Sequence, residues 1–385
     1  MPFSPPTKPD SRQSLNWSSF ATILLPSLVC YYVSAVLIIR SYPFLVRLLV
    51  LPVTLCMLYR CSVSLDLSRL NGSERNEWLN YWNEALLLGM TLFSMRAIVW
   101  TFIATPPRRI DSRKPSAAQL CFTGRYHEWN WSSGLHIPPE WRPTNSRTMF
   151  VLATLISMLI HIIVLDVLLF HLQSLSPNTF GSPKGGTIFT VIGIPDLRST
   201  YISFFSGIAV YCAIQSMYDG CTIFGIILFQ QNSNQWPPLF DHPWCSTSLN
   251  RFWAKGWHQV FRHEFIAVGA KPLYALGFGR VGAVLGAFTA SGTLHVLGNW
   301  GLSHETEFWA VGGYFVIQGV GVVLEGVWKK MSGRKVGGAL GWMWTVAWVV
   351  GWANFLIDAW ARAGLIGSAF FPNGGRPVDA IGKLL

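Results

Sequence analysis

The chain has 385 residues, of which 51% are hydrophobic and only 12% carry a formal charge. An ordinary soluble domain carries about 25% charged residues, so the composition excludes a soluble globular enzyme, a disordered regulator and a fibrous protein. The net charge of +11 then indicates cytoplasmic loops and an anionic ligand or membrane surface, and we expect no nucleic-acid partner. The sequence predicts an all-α integral membrane protein in contact with the lipid bilayer.

Apolar segments close to the length of about 20 residues that crosses a bilayer recur along the chain. Eight are predicted to span it, at residues 20–39, 42–59, 85–105, 149–172, 201–229, 281–301, 308–328 and 336–360. The second is the weakest, because Pro43, Arg47 and Pro52 interrupt it. Residues 1–19 are predicted to be a short polar tail, residues 20–360 one membrane domain, and residues 361–385 a C-terminal tail.

Loop charge predicts the orientation of these spans. Seven basic residues lie in loop 106–148 and four in turn 329–335, whereas residues 302–307 contain none and include two glutamates. By the positive-inside rule, loops 106–148, 230–280 and 329–335 are cytoplasmic and both termini are lumenal, in a multi-pass protein of the endoplasmic reticulum. The sequon at Asn71 is then lumenal and open to glycosylation, whereas the sequon at Asn130 is cytoplasmic and stays unmodified.

Isolated reactive or charged side chains elsewhere have structural explanations. The seven cysteines are scattered, without a C-x-x-C pair and without histidine at zinc-ligand spacing, so we expect packing cysteines and no metal. Arg96 lies near the cytoplasmic end of its span and is expected to extend to the interface. Glu325 precedes Lys329 by four residues, which predicts a helix ion pair.

Residues 250–265 differ from both a membrane span and an ordinary loop. Trp253, Trp257 and two phenylalanines recur at helical spacing, with Arg251, Lys255 and Arg262 among them. The pattern predicts an amphipathic helix that lies in the membrane interface or dips inward beside the cytoplasmic entrance. A surface helix with aromatic anchors is the alternative explanation.

The span 281–301 has no formal charge but contains His295. Ser291, His295 and Asn299 fall at i, i+4 and i+8, so they form one polar stripe on a helix. Three glycines permit close approach of another helix: Gly282, Gly286 and Gly292. An ionisable residue inside the membrane indicates function, and a neutral imidazole is a suitable proton acceptor near neutral pH. A neutral histidine bonded to a neighbouring helix is the alternative.

Two motifs resemble a known family when taken together. Residues 252–259 read Phe-Trp-x-x-x-Trp-His-Gln, and Ser-Gly-x-x-His follows at 291–295. This ordered pair resembles the wax-synthase-like branch of the membrane-bound O-acyltransferase (MBOAT) superfamily, with its signature at about 240–300. The segment 124–131, Gly-Arg-Tyr-His-Glu-Trp-Asn-Trp, is similar to a box found in fungal members. The resemblance runs from about residue 80 onward and implies a fungal O-acetyltransferase of terpenoids or meroterpenoids.

The resemblance implies roles for individual residues. His295 matches the catalytic histidine, the general base, and His258 stands where many relatives have an asparagine that polarises the acyl group. Trp257 lines the same region, with Gln259 beside it. From the polar stripe, and not from the resemblance, we expect Ser291 or Asn299 to hold the tautomer of the imidazole. Lys255 and Gly256 replace the aspartate and tryptophan of sterol and diacylglycerol acyltransferases, so the substrate class of those enzymes does not transfer.

The acyl donor that the resemblance implies is acyl-CoA, most simply acetyl-CoA, and the acceptor is a lipophilic alcohol. Coenzyme A phosphates would need cations on the cytoplasmic side, where charge-assisted hydrogen bonds can form. Five basic residues are candidates: Lys255, Arg262, Arg280, Lys329 and Lys330. Each of them also fits a simple role in loop orientation.

Three alternative functions remain open on the sequence alone. The first is a long-chain wax-ester synthase, which shares the motifs. The second is a transporter in which His161, Asp166 and Asp219 relay protons across the membrane. The third is a terpene cyclase that uses Asp166, Asp219 or Glu325 as an isolated acid.

Overall fold

The computed structural model describes residues 2–3, 11–70, 76–110, 114–132, 134–302, 306–371 and 374–382. Asn71 lies outside these described residues. The helices, numbered here in chain order, are α1 Trp17–Ile39, α2 Phe44–Ser64, α3 Glu77–Phe102, α4 Ala117–Phe122, α5 Arg147–Ser174, α6 Leu197–Ile227, α7 249–256, α8 262–278, α9 Gly279–Asn299, α10 Phe308–Ser332, α11 Gly338–Arg362 and α12 Pro377–Gly382. Single 3₁₀ turns lie between these helices, at Ser233–Gln235, Pro243–Cys245 and Trp300–Leu302.

The described part of the chain contains four short strands and two isolated β-bridges. Strand β1 (Pro2–Phe3) pairs antiparallel with β4 (Thr306–Glu307), and β2 (Gln13–Leu15) pairs in parallel with β3 (Leu65–Leu70). Eight helical stretches of the described chain are long and apolar enough to cross a membrane, which confirms the predicted all-α, multi-pass fold. The chain forms two compact units, Met1–Leu135 with Val260–Val323 and His136–Gln259 with Leu324–Leu385.

The weak second span is nevertheless a helix of 21 residues, with Pro52 inside it. Its arginine has partners at the end of α3, because Arg47 donates hydrogen bonds to the carbonyls of Trp100 and Ile103 at 2.8 and 3.0 Å. The last carbonyls of a helix lack intrahelical donors, so a guanidinium there satisfies groups that would otherwise be unpaired. This contact explains how a span can carry both a proline and a charge.

The sixth helical stretch, Arg262–Leu302, has 41 residues, which is about twice the length that a bilayer requires. It is a hairpin, since Gly277 and Gly279 adopt φ angles of 91° and 60° that reverse the chain. Helix α8 folds back on α9, and Gly269 and Gly286 approach so closely that neither has room for a Cβ. A Cβ on Gly292 would lie 2.8 Å from the carbonyl oxygen of a glycine in α10, so close packing at Gly286 and Gly292 is confirmed.

Residues 250–265 do not form the single amphipathic helix that their spacing predicts. Helix α7 ends at Gly256, the backbone is extended at Trp257, and α8 begins only at Arg262. The side-chain amide of Gln259 donates to the carbonyls of Trp253 and Trp257 at 2.8 and 3.1 Å, which satisfies carbonyls released by the break. A Cβ on Gly256 would lie 2.8 Å from the hydroxyl of Ser246, so close packing fixes the end of α7.

The segment after α11 packs against the second unit rather than extending from it. Arg376 forms an ion pair with Asp166 of α5 at 2.7 Å and donates to the side chain of Gln173 at 2.9 Å. Gln173 in turn donates to the carbonyls of Ile366 and Ser368. The buried carboxylate of Asp166 is therefore neutralised within the fold, as a charge in an apolar span requires.

Candidate active site

His295 lies in the last third of α9, four residues before its C-terminal end, on the side that faces α10. Its imidazole stacks in parallel on the ring of Phe315, with 4.3 Å between ring centroids and 2° between planes. The close crossing at Gly292 and Gly312 brings the two helices together one turn away. The ring is partly exposed, and neither of its nitrogens forms a hydrogen bond with a described residue.

The polar stripe around His295 is present, but it does not hold the imidazole as predicted. Ser291 is half-buried and Asn299 is buried, and neither donates to or accepts from His295, although all three are described. The Oδ1 atom of Asn299 has no partner among the residues that the structure describes. Stacking on Phe315, and not a hydrogen bond to the stripe, fixes the plane of the ring.

A buried ion pair that the sequence analysis missed anchors the start of α8 in the first unit. Arg96 Nε donates to Glu264 Oε1 at 2.8 Å, and the two side chains are 3% and 0% exposed. Arg96 also donates to the carbonyls of Thr123 and Cys121 at 2.7 and 3.2 Å, and the hydroxyl of Tyr126 donates to Glu264 at 3.0 Å. The prediction that Arg96 extends to the interface is therefore wrong, because its partners lie within the protein.

The box at 124–131 packs around the same turn of α8. The Trp131 ring stacks on the His263 ring, with 4.9 Å between centroids and 7° between planes. The Tyr126 ring also contacts His263, with 4.7 Å between centroids. Burial raises the pKa of the Tyr126 hydroxyl well above its ordinary value, and the nearby Glu264 carboxylate adds to this shift. Tyr126 and Glu128 have positive φ angles of 53° and 65°, a conformation that non-glycine residues adopt only when the surroundings impose it.

In the second unit, aromatic rings surround the signature residues Trp257 and His258. Trp257 stacks on Phe252 at 5.7 Å and 17°. The Phe240 ring lies 5.0 Å from Trp257 and 5.9 Å from His258, in edge-on contacts. The hydrogen bonds from the Gln259 amide to the carbonyls of Trp253 and Trp257 support the backbone of this loop.

An acidic residue next to Phe240 ties this loop to its surroundings. The backbone N–H of Asp241 donates to the carbonyl of Gly256 at 3.0 Å, and its carboxylate binds His136 at 2.8 Å and Arg251 at 3.5 Å. Burial alone would raise the pKa of Asp241. Hydrogen bonds from His242 and His136, together with the charge of Arg251, outweigh burial and lower it.

The predicted phosphate-binding residues fall in both units. Lys255, Lys329 and Lys330 belong to the second and Arg280 to the first; all four are exposed and form no ion pair with a described residue. Arg262, in the first unit, is half-buried beside Gly134.

The predicted ion pair between Glu325 and Lys329 does not form. Glu325 instead accepts hydrogen bonds from the backbone N–H groups of Leu249 and Asn250 at 2.6 and 3.0 Å, and from the indole of Trp344 at 3.1 Å. The carboxylate therefore caps the N-terminus of α7, where unpaired N–H groups and the helix dipole favour a negative charge.

No group of three or more His, Cys, Asp or Glu among the described residues could hold a metal ion. The seven cysteines, all of which the structure describes, are free thiols. The helices and the apolar composition define an integral, multi-pass α-helical membrane protein.

Comparison with known proteins supports the resemblance seen in the sequence. Residues 236–317 match the Membrane bound O-acyl transferase family. The chain is 25% identical to acetyltransferase eriL of Hericium erinaceus over 254 residues, which cover 62% of this chain and 64% of the relative. It is 25% identical to acetyltransferase ple2 of Rhodocybe pseudopiperita over 238 residues, 58% of this chain and 60% of that one.

A plant relative matches a shorter region more strongly. The chain is 34% identical over 116 residues to a long-chain-alcohol O-fatty-acyltransferase of Simmondsia chinensis, 27% of this chain and 33% of the relative. The chain thus spans less than two thirds of the length of these relatives. The predicted resemblance to the wax-synthase-like branch of the MBOAT superfamily, of fungal acetyltransferase type, is confirmed.

Proposed function

We propose that the protein is a membrane-bound O-acyltransferase that transfers an acetyl or other short acyl group from acyl-CoA to a hydroxyl of a lipophilic alcohol. The observation that carries this proposal is the family match at 236–317, which includes both His258 and His295. The names of the fungal relatives support acetyl-CoA as the donor. A terpenoid or meroterpenoid of secondary metabolism is the acceptor class that the resemblance implies.

In the proposed mechanism, His295 is the general base. A neutral imidazole costs far less to bury than a charged group, and its unprotonated ring nitrogen can accept a proton from the alcohol. As the alcohol oxygen bonds to the thioester carbon, the hydroxyl proton moves to a nitrogen of His295. The C–S bond then breaks, and the imidazolium returns the proton to the departing thiolate of coenzyme A. No acyl-enzyme is required, and Phe315 keeps the ring in one plane.

His258 is proposed to polarise the acyl carbonyl or to stabilise the oxyanion. A donor aimed at the developing negative charge is a large contribution in acyl transfer. The exposed cations Lys255, Arg280, Lys329 and Lys330, with Arg262, are proposed to bind the phosphates of coenzyme A. Because they are exposed, each should contribute to affinity for coenzyme A rather than to the chemical step.

Localisation in the endoplasmic reticulum, with lumenal termini, is part of the proposal and rests on loop charge. Modification of Asn71 tests it through a mobility shift that a glycosidase removes. Asn130, whose side chain accepts a hydrogen bond from the backbone of Arg108 at 2.9 Å, should carry no glycan. A glycan on Asn130 would show that the loop is lumenal and that the predicted orientation is reversed.

The decisive test of function is direct transfer. Purified protein is incubated with radiolabelled acetyl-CoA, longer acyl-CoAs and a panel of terpenoid alcohols, and labelled esters are separated by chromatography. Acetyl esters of a terpenoid alcohol are the expected product. A wax-ester synthase, which the plant relative favours as the second candidate, would instead join hexadecanoyl-CoA to hexadecanol. Substrate flux through vesicles without ester, or a new product without coenzyme A, would contradict both.

A further inference from the structure

A second intramembrane histidine, His161 of α5, has a fixed tautomer. Its Nδ1 lies 2.7 Å from the backbone carbonyl oxygen of Ser157, which can only accept, so Nδ1 carries the proton. Nδ1 also lies 3.4 Å from the hydroxyl of the same serine. The remaining ring nitrogen, Nε2, is therefore an acceptor, and it has no hydrogen bond to a described residue.

A buried carboxylate stands behind this histidine. The Ser157 hydroxyl donates to Asp219 Oδ2 at 2.7 Å, and the amide of Gln215 donates to Oδ1 at 2.8 Å. The proton of the Ser157 hydroxyl is thus committed to Asp219, which leaves its oxygen to accept from His161. The Nδ1–H group therefore donates mainly to the backbone carbonyl of Ser157, with a secondary contact to the hydroxyl that donates to Asp219, and this arrangement orients the ring.

His161 also lies close to the aromatic wall of the signature within the second unit. Its ring is 5.6 Å from Tyr211, and Tyr211 is 4.5 Å from Phe240, the residue that contacts Trp257 and His258. Helix α5 turns an apolar face outward at the same level, yet His161 is on the other side, with Ser157. A partly exposed acceptor is thus joined by ring contacts, through Tyr211 and Phe240, to the signature residues Trp257 and His258.

We propose that His161 Nε2 binds a hydrogen-bond donor of a substrate, with Ser157 and Asp219 as positioning residues. This inference rests on the proposed acyl transfer. The hydroxyl that is acylated must give its proton to the base, so His161 recognises a different group. That donor is either a second hydroxyl of a diol acceptor or an amide N–H of the acyl-CoA arm. The same chemistry serves both, and the site selects ligands that carry such a donor.

The test compares farnesol with 12-hydroxyfarnesol, which differ by one hydroxyl, in steady-state acetyl transfer by the full-length protein. The variants are His161→Leu and His161→Gln, whose amide oxygen can still accept. His171→Leu is the matched control, because His171 lies on the same helix with its ring bonded to the Tyr201 hydroxyl at 2.7 Å. Loss of one such hydrogen bond should raise the KM about five- to tenfold.

The two donor sources give different results. If the second hydroxyl is the donor, His161→Leu removes the preference for 12-hydroxyfarnesol, leaves the KM for acetyl-CoA unchanged, and His161→Gln restores part of the preference. If the amide is the donor, the KM for acetyl-CoA rises instead and both alcohols behave alike. Unchanged KM values for alcohols and acetyl-CoA in a folded His161→Leu protein would overturn the proposal.

Two further measurements keep the site testable on its own. If His161→Leu does not fold, Asp219→Asn removes the charge behind Ser157 and should raise the same KM severalfold while leaving kcat nearly constant. If the wild-type protein transfers no acyl group, thermal stabilisation by 12-hydroxyfarnesol or by coenzyme A is compared between wild type and His161→Leu, which removes the acceptor. Equal stabilisation of the two proteins would reject the site. Weaker stabilisation of the variant would support the binding site even though the proposed acyl transfer had failed.

Discussion

Replacing Glu264 with alanine leaves the guanidinium of Arg96 buried without its carboxylate. Both side chains are almost fully shielded, and the pair is 2.8 Å apart. Removing one partner of a buried ion pair costs about 3–5 kcal/mol. The carbonyls of Thr123 and Cys121 still accept from Arg96, so the lower end of this range is expected.

The assay is thermal unfolding of the purified protein in detergent. For a unit of this size, about 1 kcal/mol corresponds to 2–4 °C, so Glu264→Ala should melt roughly 6–12 °C below wild type. Glu77→Ala is the matched control, because Glu77 is an exposed carboxylate at the start of α3 and its loss should cost below about 1 kcal/mol. Melting of Glu264→Ala within 1 °C of this control would refute the argument from burial.

A double variant separates charge from hydrogen bonding. Arg96→Met with Glu264→Leu removes both charges, and apolar replacement of a whole buried pair is often neutral. The double variant should regain only part of the melting temperature that Glu264→Ala loses, because the carbonyls that accept from Arg96 lose their donor. Full recovery would show that those hydrogen bonds contribute little.

Three further predictions concern packing, the C-terminal segment and pH. Gly286→Ala should destabilise the protein and reduce transfer because its Cβ collides with the backbone of α8, whereas Gly313→Ala on α10 meets open space and should raise the melting temperature slightly. Arg376→Ala should cost about 3–5 kcal/mol by leaving Asp166 buried and unpaired, as measured by denaturant or thermal unfolding. Because the pKa of Asp241 is lowered in the folded state, its carboxylate stabilises the protein above about pH 4, and this contribution is lost as the pH falls through the lowered value. Asp241→Asn should therefore melt below wild type at pH 7, and a gap that does not narrow toward pH 3 would contradict the assignment.

The membrane fold was predictable from the sequence because a lipid environment imposes one length and one composition on each span. All eight predicted segments coincide with helices. The hairpin of α8 and α9 was not predicted, since α8 has fewer residues than a span and contains Lys271 and Pro272. The glycines at 277 and 279 were the available signal for its turn.

Partners that are distant in sequence account for most of what was missed. Glu264 is 168 residues from Arg96, and Arg376 is 210 residues from Asp166, so neither pairing follows from local spacing. An arginine within an apolar span does require a partner, which is the clue that could have led to Glu264. Phe315 gave no signal at all, because stacking on His295 depends on how α9 and α10 cross.

The family resemblance was recognisable from the sequence because the order of the motif residues along the chain is informative without contacts. The hydrogen bonds of Gln259 could not be inferred, since they depend on the break after α7. The tautomer of His161 was likewise unpredictable, although Ser157 precedes it by one helical turn. A serine four residues before a histidine is a weak signal by itself. Only the structure shows that the hydroxyl of this serine donates to Asp219.

The most direct measurement is acetyl transfer by His295→Ala, compared with wild type under single-turnover conditions. General base catalysis contributes typically 10²–10⁴-fold, so transfer should fall by about that factor while the melting temperature and coenzyme A binding stay close to wild type. His258→Ala, measured alone and with His295→Ala, shows through non-additive losses whether both act on the same step. A folded His295→Ala protein that acetylates its alcohol at the wild-type rate would contradict the central claim.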